Sequence, residues 1–479
     1  MVSNIVGSDV VDFSKIERKY QIREHIYAAS FLVSEDCLLN CSYCFEHHKK
    51  KKMTPEIMER GIDFLIEGAR KHNQRANVSL FGGEPTLAPE IIEHGFKCGV
   101  QRMEQTGVGI DFGMITNAVI MNDCLYNLFE TYMKPLNFQV QLSIDGPAHI
   151  QNKNRPTKTG EPSFPMVEKS VKRYKELFKD NYRALSVHGC LTPNTIKHMY
   201  ECYIFFREEW ELEPIWFLPV IELPWTEKNV EEYQIESEKV YNYIMKRVRK
   251  EKNIKEIELY SPFSNCFMQR NKRPVPCGAG KTYATITADG DLYPCHQIYY
   301  NDKEGDTCIG NIWYGVDEDR RRVFSLYEDE DLSCGTSCDF TKCYRCIGSN
   351  YVFKGSMFSQ IKDNYCKLMK IDQYFQEKIK REVEEMGLMK NQDQYQPGNN
   401  PDNPDCLCDS RGTQNIGCDI VDPNCREVVN NCVKVIGERD SCSDSQCDKG
   451  LDKNEVFSLA LNMILQKVCD IEKKLDNRR

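Results

Sequence analysis

The 479-residue sequence has no window approaching the ~18 consecutive apolar residues that a membrane-spanning helix needs. Its first residues, Met1 to Lys19, mix Asp, Ser and Lys with short apolar pairs and contain neither the apolar core nor the cleavage pattern of an export signal. A long basic stripe is also missing. The formal net charge is −9, so no phosphate-tracking surface is indicated. The four lysines Lys49 to Lys52 directly precede a helix start and read as a solvated face. These absences point to a cytoplasmic protein that engages neither nucleic acid nor membrane. At 41% apolar and 28% charged, the chain has the composition of a soluble globular protein long enough for two or three domains.

Cysteine, by contrast, is plentiful. Twenty-four cysteines without an export signal argue for metal or redox use, because disulfides are rare in the cytoplasm. Three of them form Cys37-Leu-Leu-Asn-Cys41-Ser-Tyr-Cys44, after the apolar run Tyr27 to Val33. A tight loop at a strand end turns three thiolates toward one point. Three are one short of the four that close an ordinary zinc or iron–sulfur site, so a cluster held this way leaves one iron open. Tyr43 adds an aromatic that can cover the cluster or a bound ring. Spacing alone leaves two alternatives: a zinc site with its fourth ligand elsewhere, and a surface loop with casual cysteines.

Strand and helix patterns alternate from residue 28 to 251. Strands are expected at 28–36, 76–81, 110–115, 137–144, 184–191 and 215–223. Helices are expected after Thr54-Pro55 and Ala88, and near 121–133, 163–179, 194–210 and 228–251. Such alternation calls for a parallel sheet with chemistry at the carboxyl ends of its strands. Cys44, Gly82, Thr116 and Ser143 all fall at such ends. Gly82-Gly83-Glu84-Pro85 and Ser143-Ile-Asp-Gly-Pro147 each close a strand, and Arg155 follows shortly. Gly82 and Gly83 would let backbone approach a ligand with no Cβ in the way. Taken singly, these features are also a turn, a strand cap and a surface ion pair.

In this order and setting, the three segments resemble the radical S-adenosylmethionine (SAM) enzymes. The resemblance implies an α/β fold, a partial (β/α)6 barrel open on one side. It implies SAM and a [4Fe–4S] cluster on Cys37, Cys41 and Cys44, whose electron cleaves SAM to a 5′-deoxyadenosyl radical. By the same resemblance Tyr43, Gly82, Gly83, Glu84, Thr116 and Asn117 line the cofactor, Ser143 contacts the ribose and Arg155 the carboxylate. Ala118 departs from the pattern, since related sequences often carry glycine after Thr-Asn.

From about Lys252 the β–α rhythm stops. Asp289-Gly290 between two alternating apolar runs signals a hairpin that brings Cys277 near Cys295. Cys334-x3-Cys338-x4-Cys343-x2-Cys346 follows, with Cys366 further on. Seven cysteines are nearly right for two four-ligand sites, and two zinc sites would satisfy the spacing equally well. With Gly290 ahead of Pro294-Cys295, the region resembles the small cysteine-rich α+β SPASM domain of radical SAM peptide and protein maturases, although its central spacing departs from the family's x2, x5, x3. That implies two auxiliary [4Fe–4S] clusters. One would sit on Cys334, Cys338, Cys343 and Cys366. The other would sit on Cys277, Cys295 and Cys346, with an open iron or a fourth ligand from Cys266 or Cys308. Cys98, Cys124, Cys190 and Cys202 lie in strands or helices and read as buried apolar fillers.

The expected organisation is an N-terminal segment 1–27, a radical SAM barrel 28–251, a SPASM domain 252–388 and a linker with a cysteine-rich C-terminal extension 389–479. The eight extension cysteines match no known motif. They fit a further metal site, a substrate-like segment or a flexible tail with reduced thiols. The function expected is a radical SAM oxidoreductase that installs a thioether or carbon–carbon crosslink in a ribosomally made, cysteine-rich precursor peptide. Its electron donor would be a flavodoxin or ferredoxin. The rivals are an anaerobic sulfatase maturase, which makes formylglycine, and a non-catalytic zinc scaffold. Sulfatase maturases place an aspartate where this chain has His296, an imidazole that can act as a base or hydrogen-bond a neighbouring loop. Only 36 residues precede Cys37, too few for a separate leader-binding domain ahead of it.

Overall fold

The first helix shows how local chemistry lays down this chain. In the computed structural model, the Thr54 hydroxyl accepts from the Ile57 N–H and Pro55 occupies the first helical position, starting α1 (Pro55–His72). Asn73 ends it in the left-handed region, and Met58, Ile62, Leu65 and Ala69 form its buried stripe. The structure describes residues 24–181, 184–254, 257, 277–322, 324, 346–354 and 364–388.

Strands β1 (Ala28–Ser34), β2 (Ala76–Gly82), β3 (Ile110–Thr116), β4 (Gln139–Ser143), β5 (Leu185–Leu191) and β6 (Ile215–Pro219) pair in parallel in sequence order. The connecting helices are α2 (Pro89–Thr106), α3 (Asp123–Tyr132), α4 (Ala148–Asn154), α5 (Phe164–Leu177), α6 (Met199–Ile204) and α7 (Glu227–Glu251). Each expected β–α repeat is present. The expectation missed α4, a seven-residue helix too short to show a period of its own. On β3 and β5 buried and half-buried residues alternate strictly, so one face of each strand packs on helices. Phe96, Phe112, Phe129 and Phe138 form one aromatic core beneath these helices, with ring centroids 5.0–6.2 Å apart.

The sheet continues on the other side of β1. There β7 (Tyr283–Ile286) pairs in parallel, and β8 (Asp291–Tyr293), β9 (Gly310–Asn311) and β10 (Gly315–Val316) add antiparallel strands. The order is β10-β9-β8-β7-β1-β2-β3-β4-β5-β6. The expected hairpin over Asp289-Gly290 is therefore part of the barrel's own sheet, and β1 is paired along both edges. Helices α8 (His296–Asn301), α9 (Glu318–Arg321), α10 (Ile347–Lys354) and α11 (Asn364–Glu385) follow. α11 lies along α7, where Tyr233 donates to Asp372 at 2.6 Å and the Tyr241 and Phe375 rings stand 5.5 Å apart. Among the described residues, no helix is long and apolar enough to cross a membrane.

Candidate functional site

The three-cysteine loop leaves the carboxyl end of β1 and is laced to the segment after α4. Asn40 N–H donates to the Pro156 carbonyl at 2.8 Å, Ser42 N–H to Asn154 at 2.9 Å, and Lys158 N–H to Leu38 at 2.9 Å. These bonds between segments, with the turn from the Cys44 N–H to the Cys41 carbonyl at 3.1 Å, fix the loop that carries Cys37, Cys41 and Cys44. Burial pushes their thiols up, to about 12 for Cys37 and about 11 for Cys41 and Cys44, and the thiols reinforce one another. Thiols that resist ionisation in the bare protein fit a metal centre, whose positive charge is what makes such thiolates stable.

Gly82 and Gly83 stand where the neighbouring backbone leaves no room for a Cβ. A Cβ on Gly82, at φ +119°, would meet the Ser34 carbonyl oxygen at 2.2 Å, and one on Gly83 would meet that of Asp36 at 2.4 Å. They let the β2 loop lie against the chain that leads into Cys37. Glu84 is fully buried. It accepts from Thr86 Oγ1 and Thr116 Oγ1 at 2.7 Å on one oxygen and from the Asn117 N–H at 2.7 Å on the other. Burial raises its pKa, against the pull of those donors. Asn117 Nδ2 in turn reaches Cys37 Sγ at 3.4 Å. The segment thus forms a continuous cradle from β2 through Glu84 to the three-cysteine loop. Ala118 stands at φ +58°, in the region where glycine is at home, so the departure seen in the sequence is a real backbone demand.

Ser143 ends β4, and two residues later lies a group the sequence reading did not single out. Asp145 is completely buried and gathers four donors: Tyr43 Oη at 2.7 Å, Asn154 Nδ2 at 2.9 Å, Arg155 Nε at 2.9 Å and the Cys190 N–H at 3.0 Å. The only sequence signal was an acid inside the quoted Ser143–Pro147 motif. Arg155 is buried as well, with its guanidinium 5.3 Å over the Tyr43 ring. Burial would lower its pKa, but Asp145 and the Tyr43 hydroxyl outweigh that and hold it firmly charged.

In the second array, Cys277, Cys295 and Cys346 are brought near one another. Burial raises the Cys295 thiol, and Cys346 and Cys277 reinforce the shift. Cys308 has a separate setting, its Sγ donating to the Gly310 carbonyl at 3.2 Å beside Asp291 and Arg320. Cys366 sits half-buried in the first turn of α11. Cys266, Cys334, Cys338, Cys343 and the extension cysteines lie outside the described residues. His296 packs against Phe81 and Phe45, with ring centroids at 4.4 and 5.6 Å. Burial lowers its pKa to about 4, and its Nδ1 has no hydrogen-bond partner among the described residues. One turn on, Tyr300 stands beside the Glu46 carboxyl, whose pKa burial pushes up to about 8. Of the four presumed filler cysteines, Cys98 and Cys202 are buried. Cys124 is instead exposed at the start of α3, and Cys190 lies 3.7 Å from an Arg155 nitrogen.

The chain is similar to several known proteins. Residues 31–202 match the model of the radical SAM superfamily. A cysteine-type anaerobic sulfatase-maturating enzyme of Clostridium perfringens is 26% identical over 308 residues, 58% of this chain and 75% of that protein. The radical SAM cyclopropyl synthase TigE of Paramaledivibacter caminithermalis is 26% identical over 210 residues, 41% of this chain and 42% of that protein. The solved structure of native anSMEcpe with bound AdoMet and Cp18Cys peptide superposes with a TM-score of 0.57 at 20% identity, covering 76% of this chain and all of that one, which establishes the shared fold.

Proposed function

Since residues 31–202 belong to the radical SAM superfamily, we propose that this enzyme of the SPASM-type maturase class installs a thioether or carbon–carbon crosslink in a cysteine-rich peptide. Cys37, Cys41 and Cys44 would hold the SAM-cleaving [4Fe–4S] cluster. Cys277, Cys295 and Cys346 belong to a first auxiliary cluster, and Cys366 with Cys334, Cys338 and Cys343 to a second. SAM and the clusters supply the radical chemistry of hydrogen abstraction when bound. The protein's part is to hold Cys37 against Asn117, to seat the β2 loop through Gly82 and Gly83, and to exclude water with Phe45, Phe81 and Tyr300. We assign residues 252–388 to the SPASM domain and place the enzyme in the cytoplasm, with a flavodoxin or ferredoxin as electron donor.

The observation that favours crosslinking is His296. Sulfatase maturases are similar to this chain, but the residue after Cys295 is not a carboxylate. It is an imidazole kept neutral by burial against two aromatic rings. The relatives keep formylglycine formation as the second reading. Mass spectrometry of a cysteine-rich peptide after anaerobic turnover separates the two. Crosslinking removes two hydrogens per bond and retains the sulfur. Formylglycine formation from cysteine loses the sulfur and leaves an aldehyde that a hydrazide traps. A trapped aldehyde without two-hydrogen loss would assign the enzyme to sulfatase-type oxidation.

A further inference from the structure

The segments that follow β4 and β5 bring together three side chains that the proposed radical chemistry does not use. His149 stands in the first turn of α4, His198 in the turn just ahead of α6, and Glu201 within α6. Because β4 and β5 pair in parallel, the chain leaving their carboxyl ends runs side by side. Glu201 lies between the two imidazoles, with Oε1 3.4 Å from His149 Nε2 and Oε2 2.9 Å from His198 Nδ1. One ligand atom from each of the three lies within 4.8 Å of the other two. The backbone beneath them is anchored. Ile150, Met199 and Cys202, each beside one of the three in sequence, are buried. Tyr200 N–H, between His198 and Glu201, donates to the buried Glu236 carboxylate at 2.9 Å. Gly146, just ahead of α4, packs so closely on α6 that a Cβ there would meet Cys202 Sγ at 2.6 Å. The three side chains themselves are 33–56% exposed, so an ion can reach them.

We propose that His149, His198 and Glu201 bind a zinc ion and that the bound ion staples α4 to α6. Two imidazoles and one carboxylate suit zinc, nickel or iron, whereas magnesium and calcium take oxygen ligands. Zinc outranks ferrous iron for such a donor set, so it displaces iron held there. Three ligands from the protein leave the fourth zinc position to water. As a surface ion pair, either histidine–glutamate contact adds little to stability. An ion at their centre joins all three residues through coordination bonds instead. The effect reaches the three-cysteine loop. α4 carries Asn154, whose carbonyl accepts from the Ser42 N–H at 2.9 Å and whose side chain donates to Asp145 at 2.9 Å. Fastening α4 to α6 therefore restrains the segment to which that loop is laced. The site is independent of how the cysteines are shared among clusters.

The test uses the full chain, reconstituted with iron and sulfide and dialysed anaerobically against buffered zinc ion. Zinc and iron are then counted in the same sample, and X-ray absorption at the zinc edge reports the ligand type. Thiolates elsewhere in the chain also take zinc, so the parent is compared with the double variant His149→Ala, His198→Ala. The variant should hold one zinc per chain fewer with its iron unchanged. It should lose the nitrogen and oxygen shell at about 2.0–2.1 Å and keep any sulfur shell at about 2.3 Å. Glu201→Gln should weaken binding less than the double variant does. Zinc should also slow deuterium uptake across residues 148–154 in the parent and not in the double variant. Should the double variant fold poorly, His149→Ala alone decides, since that side chain is the most exposed of the three. Equal zinc content and an equal nitrogen shell in parent and variant would overturn the site and leave a surface ion pair. Zinc held through the histidines with no slowing of uptake in α4 would overturn the staple.

Discussion

Ala118 and His188 carry individual costs that a single substitution can expose. Ala118 holds φ +58°, a conformation that costs an L-residue about 1–2 kcal/mol relative to glycine. Part of the gain in Ala118→Gly is lost to the freer unfolded chain, so the variant should be more stable by up to ~1 kcal/mol. A thermal midpoint well below the parent's would show that the backbone strain is not what the φ value implies. His188, on β5, has its pKa lowered to about 4 by burial first and by Arg155 second. It stays neutral in the folded protein while the unfolded chain takes up its proton near the ordinary histidine value of 6.5. Its contribution is thus intact above that value and is lost as pH falls through it toward 4. The loss is on the order of 1–3 kcal/mol. Chemical denaturation at pH 7 and pH 5 should show a smaller difference in His188→Gln than in the parent. The Ala118 cost showed in the sequence as a departure from a glycine pattern, whereas the His188 cost did not, because it arises from what packs around β5. Asp145 escaped notice for the same reason: its four donors come from three separate stretches of chain.

Among the elements, those with a strong period were legible and the others were not. The six β–α repeats stand within a few residues of where apolar runs and capping signals put them. The seven-residue α4 was not, although it carries Asn154 to Asp145 and ends at Arg155. The pairing of β7 with β1 was hidden as well, since parallel partners some 250 residues apart leave no local trace. α11 likewise shows its apolar stripe in sequence but not its partner. It is held to α7 by buried Leu368, Phe375, Ile379 and Val383. Phe375, 2% exposed, is the aromatic anchor of that contact. Phe375→Ala should cost about 3–5 kcal/mol and loosen α11 before the barrel. Limited proteolysis would then cut near α11 first. Simultaneous loss of α11 and β1 protection would mean the two fold as one unit.

For the whole molecule, the cysteines proposed to carry the chemistry stood out by their spacing and their place at strand ends, whereas the cradle around Cys37 did not. Replacing Cys37, Cys41 and Cys44 with alanine should abolish reductive release of 5′-deoxyadenosine while part of the iron remains on the second array. Undiminished release would remove the loop from the reaction. The last consequence comes from β1, which is hydrogen-bonded by β2 along one edge and β7 along the other. Amides enclosed on both sides exchange with solvent only when the whole sheet opens. Cys37 lies three residues beyond the end of this strand. Oxygen damage to an iron centre on that loop should therefore leave its foundation standing. Deuterium uptake by Ala28–Ser34 should be the same in iron-free and reconstituted protein, with the difference confined to the loop that follows. With that result, loss of the iron would be reversible by adding iron and sulfide back to the folded protein, with no refolding step between.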